Sequence, residues 1–176
     1  MNKWRTAAAT AAVLAVVAPP PAVAQDVPMP PLGLFLLRNV ETGYCADLPF
    51  FGPGTLDGPV NQWHCRPGSQ DNQVWQRVDS ADSAGSFALR NIAGGLCMDV
   101  PYYDAVPTGT PISQYHCDAD TDDNQSFTLR PSPTGWLFTH DKTGLCLGAD
   151  GGLDARLTLE WCGSAPDQWE WISPNA

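Results

Sequence analysis

Residues 35–76, FLLRNVETGYCADLPFFGPGTLDGPVNQWHCRPGSQDNQVWQ, and residues 87–129, FALRNIAGGLCMDVPYYDAVPTGTPISQYHCDADTDDNQSFTL, are two copies of one unit. Arg38-Asn39 answers Arg90-Asn91, Cys45 answers Cys97, Asp47 answers Asp99, His64-Cys65 answers His116-Cys117, and Asp71-Asn72-Gln73 answers Asp123-Asn124-Gln125. The offset is 52 positions throughout, as from 45 to 97. A third, shorter copy, WLFTHDKTGLCLGADGGLDARLTLEWCGSAPDQWEW, fills residues 136–171 and keeps Thr143-Gly144-Leu145-Cys146 and Trp161-Cys162. Within each copy, short Val/Ile/Leu/aromatic runs alternate with Gly, Pro and Asn/Asp turn signals, and no window sustains a helical period. The unit is therefore made of strands and turns. Three such units, each too small to close a core alone, are expected to pack about a pseudo-threefold axis into one barrel.

The chain of 176 residues, 43% hydrophobic, suits one globular domain. Its start reads as a signal peptide: Lys3 and Arg5, an apolar run from Thr6 to Ala18, then Ala22-Val23-Ala24. Pro19-Pro20-Pro21 closes the apolar run short of the roughly 20 residues a membrane helix needs. Cleavage is expected after Ala24, leaving a Pro-rich leader at 25–33 and the globular part at 34–176, with repeats at about 35–79, 87–131 and 136–174. Export also explains the six cysteines, because an even number in an exported chain is ordinarily a disulfide framework. Six cysteines allow 15 connectivities. A single rule, pairing within each repeat, covers all three copies and predicts Cys45–Cys65, Cys97–Cys117 and Cys146–Cys162.

A formal net charge of −10 argues against nucleic acid and anionic membranes as partners, since both recruit clustered Lys and Arg. No nucleophile elbow, metal signature or activated Cys is present, and Asp47 and Asp99 occupy equivalent places in different repeats rather than flanking one bond. His64 and His116 stand beside half-cystines and do not compose a metal site. The acidic run from Asp118 to Asp123 lacks the Gly and the final Glu of a calcium loop. Neither a cofactor nor a metal is expected.

Three copies of G-x-C, two of them followed by x-D, with an aromatic before the second Cys and Asn-Gln after it, resemble the ricin B-type lectins, β-trefoils with Q-x-W repeats. The resemblance covers residues from about Leu34 to the C-terminus. It implies an all-β trefoil with one disulfide per lobe, and extracellular binding of a glycan or polysaccharide, most often of galactose type. The implied sugar contacts are Asp47, Asn61, Trp63, Asn72 and Gln73 in the first copy. In the second they are Asp99, Tyr115, Asn124 and Gln125, with Ser113 at the place of Asn61. A secreted targeting subunit with a separate catalytic protein partner, and a protein-binding trefoil with degenerate sugar sites, are the rival readings.

The chemistry agrees, because a sugar is a ring of hydroxyls with one C–H face and calls for a fixed carboxylate and amide beside an aromatic. Gln73, Gln125 and Gln168, with Trp75, Phe127 and Trp169, also read as core and turn-bonding residues. Phe50-Phe51 and Tyr102-Tyr103 either rim the pockets or cover the core. The third copy has Gly148, Glu160 and Asp167-Gln168 where the others have the acid, the aromatic and Asn-Gln, and reads as a structural lobe.

Overall fold

The computed structural model describes residues 31–68, 71–118, 123–164 and 166–175. The signal-peptide expectation for 1–24 and most of the leader lie outside them. Lobe one comprises β1 (Leu34–Asn39), β2 (Cys45–Asp47), β3 (Asn61–Trp63) and β4 (Val74–Asp79). Lobe two comprises β5 (Phe87–Asn91), β6 (Leu96–Asp99), β7 (Thr110–Pro111), β8 (Ser113–His116) and β9 (Phe127–Pro131), and lobe three β10 (Trp136–His140), β11 (Cys146–Gly148), β12 (Thr158–Glu160) and β13 (Gln168–Ile172). The only helical turn among the described residues is Pro49–Phe51.

The first and last strands of each lobe form a closed ring. Antiparallel pairing runs β1–β4–β5–β9–β10–β13 and back to β1, so no edge is left open. The remaining hairpins, β2–β3, β6–β8 and β11–β12, cap one end of this barrel. At the cap the chains meet on the axis. Val60 N–H donates to the Ile112 carbonyl (3.4 Å), Ile112 N–H to Leu157 (2.8 Å) and Leu157 N–H to Val60 (2.9 Å), and all three residues are fully buried. This is the β-trefoil that three strand-and-turn repeats predict.

Apolar residues on the inward face fill the barrel, with Phe35, Leu37 and Trp75 from lobe one, Phe87, Leu89 and Phe127 from lobe two, and Trp136, Phe138 and Trp169 from lobe three. Two of the large aromatics are also bonded, Trp75 Nε1 to the Ala46 carbonyl (3.1 Å) and Trp169 Nε1 to that of Leu147 (2.8 Å). The G-x-C signature is a turn. Gly43, Gly95 and Gly144 adopt φ of 72°, 71° and 69° and donate their amides back to the carbonyls of Asn39, Asn91 and His140.

Asn39 and Asn91 also stitch one lobe to another. The Asn39 Nδ2 group donates to the Pro166 carbonyl (2.8 Å) and that of Asn91 to the Asn72 carbonyl (2.6 Å), while each Oδ1 caps its own turn. His140 holds the third such place. Burial pulls its pKa down to about 4, so the ring is neutral at pH 7, with Nδ1 on Thr143 Oγ1 (2.9 Å).

Disulfides join Cys45–Cys65, Cys97–Cys117 and Cys146–Cys162, as the spacing predicts, and no cysteine is free. Each lies within one lobe. Its contribution is to restrict the unfolded chain, about 3 kcal/mol for loops of this size. Replacing Cys97 and Cys117 together with Ala is therefore expected to lower stability by about 2–4 kcal/mol. Urea unfolding should still show a cooperative transition, since the ring of barrel strands and the two other bridges remain. Among the described residues no helix is long and apolar enough to cross a membrane.

Candidate functional site

Strand register places the predicted contacts on one face. Asp47 pairs with Asn61 and Cys45 with Trp63, so Asp47, Asn61 and Trp63 point the same way by the two-residue period of a strand. Asp99, Ser113 and Tyr115 repeat the arrangement through Asp99↔Ser113 and Cys97↔Tyr115.

Behind each aspartate stands a buried glutamine. Gln73 Nε2 donates to Asp47 Oδ1 (3.0 Å) and to the His64 carbonyl (2.9 Å), and its Oε1 accepts the Arg66 N–H (2.9 Å). Gln125 makes the same three bonds, to Asp99 Oδ1 (3.1 Å), the His116 carbonyl (2.8 Å) and the Asp118 N–H (2.9 Å). Both glutamines are fully buried, so they position the acid and tie it to the turn that follows the disulfide. Burial raises both carboxyls to about 6. The glutamine bond opposes that rise in each case, the Ser113 hydroxyl (3.2 Å) adds to the opposition at Asp99, and neighbouring aspartates reinforce it.

Each aspartate opens into a pocket. The first, about 410 Å³, is lined by Asp47, Asn61, Trp63, Phe50, Phe51 and Asp71, and by Asp154 from lobe three. The second, about 490 Å³, is lined by Asp99, Tyr115, Asn124, Tyr102, Tyr103 and Asp123, and by Asp57 from lobe one. The paired aromatics rim the pockets: Phe50 and Tyr102 are 95% and 80% exposed.

The carboxylate that crosses from the neighbouring lobe is what sequence reasoning missed. Asp154 N–H donates to the Gln62 carbonyl and Asp57 N–H to the Gln114 carbonyl, both at 2.9 Å and both with left-handed backbone, φ 66° and 59°. Gln62 Nε2 also holds the Gly151 and Gly152 carbonyls (both 3.0 Å), and Gln114 Nε2 the Pro59 carbonyl (2.9 Å), which fixes the two loops that present the acids. Asp154 Oδ1 in turn accepts from Asn61 Nδ2 (2.8 Å). A signal existed. Asp57 and Asp154 each stand eight positions before the second Cys of their own repeat, and lobe two has Gly109 there, whose N–H donates to Leu159. Asp47 and Asp99 do lie in separate pockets, yet each pocket gathers further acids.

The two asparagines differ. Asn72 is buried, and its Nδ2 donates to the Leu48 and Gly52 carbonyls (2.6 and 3.1 Å), so it braces the loop carrying Phe50 and Phe51. Asn124 is equally buried, lines the second pocket, and leaves both Nδ2 and Oδ1 without a partner.

Lobe three fills its own site. Glu160 pairs with Cys146 where the aromatics stand elsewhere, and its carboxylate accepts from the Thr158 and Thr108 hydroxyls, both at 2.8 Å. Asp167, not Gln168, takes the place of the positioning glutamine, because its Oδ2 accepts the Gly163 N–H just after Cys162. The pairing of Asp167-Gln168 with Asn-Gln is thereby corrected by one residue. Gln168 instead accepts from the Ser132 and Thr134 hydroxyls.

A closed six-strand barrel capped by three hairpins, with a pocket on each of two lobes, defines a β-trefoil. The match to the model of the ricin-type beta-trefoil lectin domain, over residues 34–171, shows that the chain belongs to that family. No curated protein matches the sequence significantly. Similar solved structures include the designed threefold-symmetric protein ThreeFoil (19% identity, TM-score 0.67, 80% of this chain and 98% of that one) and the Rhizoctonia solani agglutinin (14%, 0.66, 81% and 96%). An exo-beta-1,3-galactanase from Clostridium thermocellum is also similar (19%, 0.66), over 82% of this chain but 31% of its own. At these identities the likeness speaks for the fold alone.

A Cβ on Gly148 would lie 2.9 Å from Glu160 Cγ. Gly148→Asp should therefore lower stability by about 1–3 kcal/mol. Adding Glu160→Ala should recover most of the loss, and a double-mutant cycle in urea would read the coupling.

Proposed function

We propose that the chain is an exported, non-catalytic carbohydrate-binding module that holds sugar, most often of galactose type, in the pockets of lobes one and two. One observation carries the reading: twice, a fixed carboxylate and an asparagine amide stand in one open pocket with an aromatic side chain, Trp63 in the first and Tyr115 in the second. Asp47 and Asp99 accept sugar hydroxyls, Trp63 and Tyr115 stack on the C–H face, and the free Oδ1 of Asn61 or the amide of Asn124 takes a further hydroxyl. Gln73 and Gln125 act through the aspartates, and Asn72 through its loop. Open pockets of this kind bind weakly, a Kd near millimolar corresponding to about −4 kcal/mol, so two on one rigid body gain by avidity on a multivalent glycan.

Residues 1–24 direct export, and the protein acts outside the cell. The family's ordinary role supports the absence of catalysis, and a bound oligosaccharide should be recovered uncleaved. A second reading, a targeting subunit within a larger assembly, is favoured by similar trefoils in the cytolethal distending toxin of Haemophilus ducreyi and in a mosquitocidal holotoxin.

A glycan array followed by calorimetry tests the proposal. Two sites are expected, and Trp63→Ala or Tyr115→Ala should each remove one, since losing a stacking face costs about 1–3 kcal/mol at such a site. Glu160→Ala should leave both. Three sites, or none for any glycan, would overturn the reading.

The carboxyls add a pH signature. A carboxyl raised to about 6 in the fold is a better proton binder there than in the unfolded chain. Its stabilising effect is full below about 4 and fades as pH rises through 6, so the ionised acids cost stability at pH 7. Sugar binding needs the ionised acceptor and should weaken as pH falls below 6. Asp47→Asn should accordingly raise stability at pH 7 by about 1–2 kcal/mol while weakening sugar binding, measurable by thermal unfolding and calorimetry on the same sample.

A further inference from the structure

Each pocket is lined by three aspartates, and the two differ in how those acids are engaged. In lobe one, Arg66 follows the second cysteine. Its guanidinium lies 4.7 Å above the Phe51 ring and 3.8 Å from Asp71, which places a cation on the rim. Among the described residues no Lys or Arg lines either pocket, but in lobe two the residue after the second cysteine is Asp118, so Arg66 has no counterpart there. Asp57, Asp99 and Asp123 all line the lobe-two pocket, and none forms an ion pair among the described residues. Lys142 comes to the outer rim, where its ammonium donates to the Tyr103 carbonyl (3.0 Å).

Like charges gathered in a partly buried space repel one another, and Asp123 and Asp57 both push the Asp99 carboxyl up, after the larger effect of burial. A ligand that brings one positive charge relieves all three. Asn124 adds an independent sign that a ligand belongs there, being 1% exposed on the pocket wall with both side-chain polar atoms unbonded. Buried amides are ordinarily satisfied, and a sugar hydroxyl and amine would supply an acceptor and a donor. Three tyrosines, Tyr102, Tyr103 and Tyr115, offer ring faces to a C–H surface or to an ammonium group. A metal is the weaker occupant, because no three His, Cys, Asp or Glu among the described residues are placed to hold one.

Building on the sugar-binding reading, we propose that the lobe-two pocket selects a protonated amino sugar, a hexosamine with a free ammonium group, while the lobe-one pocket takes an uncharged sugar. Asp57, contributed by the neighbouring lobe, is the specificity residue. It meets the ammonium group together with Asp123, leaving Asp99 and Asn124 to the ring hydroxyls. The fold thus carries two different specificities on one symmetric frame.

Calorimetry on the disulfide-bonded chain separates the claims. Trp63→Ala isolates the second pocket and Tyr115→Ala the first. The probes are galactosamine, N-acetylgalactosamine and galactose, with the corresponding gluco series. With the second pocket alone, the free amine should bind at least about tenfold more tightly than its acetylated form, the difference between a charge-assisted and a neutral hydrogen bond. Most of that preference should vanish in 1 M salt, where the screening length is about 3 Å. Asp57→Asn should remove the preference, so that the amine and its acetylated form bind alike, and asparagine tolerates the left-handed backbone of this position. The first pocket should show no preference for the amine.

Equal binding of amine and acetylated sugar, unchanged by Asp57→Asn, would overturn the charge selectivity and leave the sugar-binding reading intact. Loss of binding on chelation would assign the acids to a metal and overturn it as well. Failure of every sugar at both pockets would sink the parent reading and this one with it.

Discussion

Three buried backbone hydrogen bonds on the pseudo-threefold axis, Val60 to Ile112 to Leu157 and back to Val60, are the point on which the molecule turns. Each N–H is deep in apolar surroundings with no water to fall back on, so each lobe is satisfied only when both others are in place. The ring fixes the relative rotation of the three hairpins. It also fixes where the loops that precede it must run, and those loops carry Asp57 into lobe two and Asp154 into lobe one. Symmetry of the core and composition of the pockets are thus one geometric fact.

Much of this was legible in the sequence, and for a physical reason. Strand period, turn glycines and cysteine spacing are local constraints, so Cys45, Asp47 and Trp63 announce their shared face by their separations alone. Contacts across lobes are not local. Nothing near Asp57 in the chain says that its partner is Asp99, and only the eight-residue offset shared with Asp154 hints at it. The asparagines are less legible for a subtler reason: Asn72 and Asn124 share an Asp-Asn-Gln motif, yet the Asn72 amide braces a loop while Asn124 lines the second pocket with both polar atoms unbonded. In lobe three a shortened loop hid the true alignment, which the bond from Gly163 to Asp167 reveals.

The sites are held at a cost to the fold. Asp47 and Asp99 are desolvated carboxyls whose ionised forms the folded chain disfavours, kept in place by Gln73 and Gln125. Lobe three shows the relaxed alternative, a glycine at the acid position and a glutamate folded over it onto two threonine hydroxyls. Three positions, Gly109, Gly148 and Glu160, differ there from the other two sites, and together they remove the crossing acid, the lobe's own acid and the aromatic.

Because each of the two pockets draws one carboxylate from the adjacent lobe, a single repeat excised from the chain holds only part of a pocket. Engineering that permutes the lobes must therefore move neighbours as couples: lobe one serves lobe two only while the loop of residue 57 lies beside it, and lobe three, its own site filled by Glu160, cannot be deleted without stripping Asp154 from the pocket of lobe one. The lobe whose own site Glu160 fills is still a component of its neighbour's pocket.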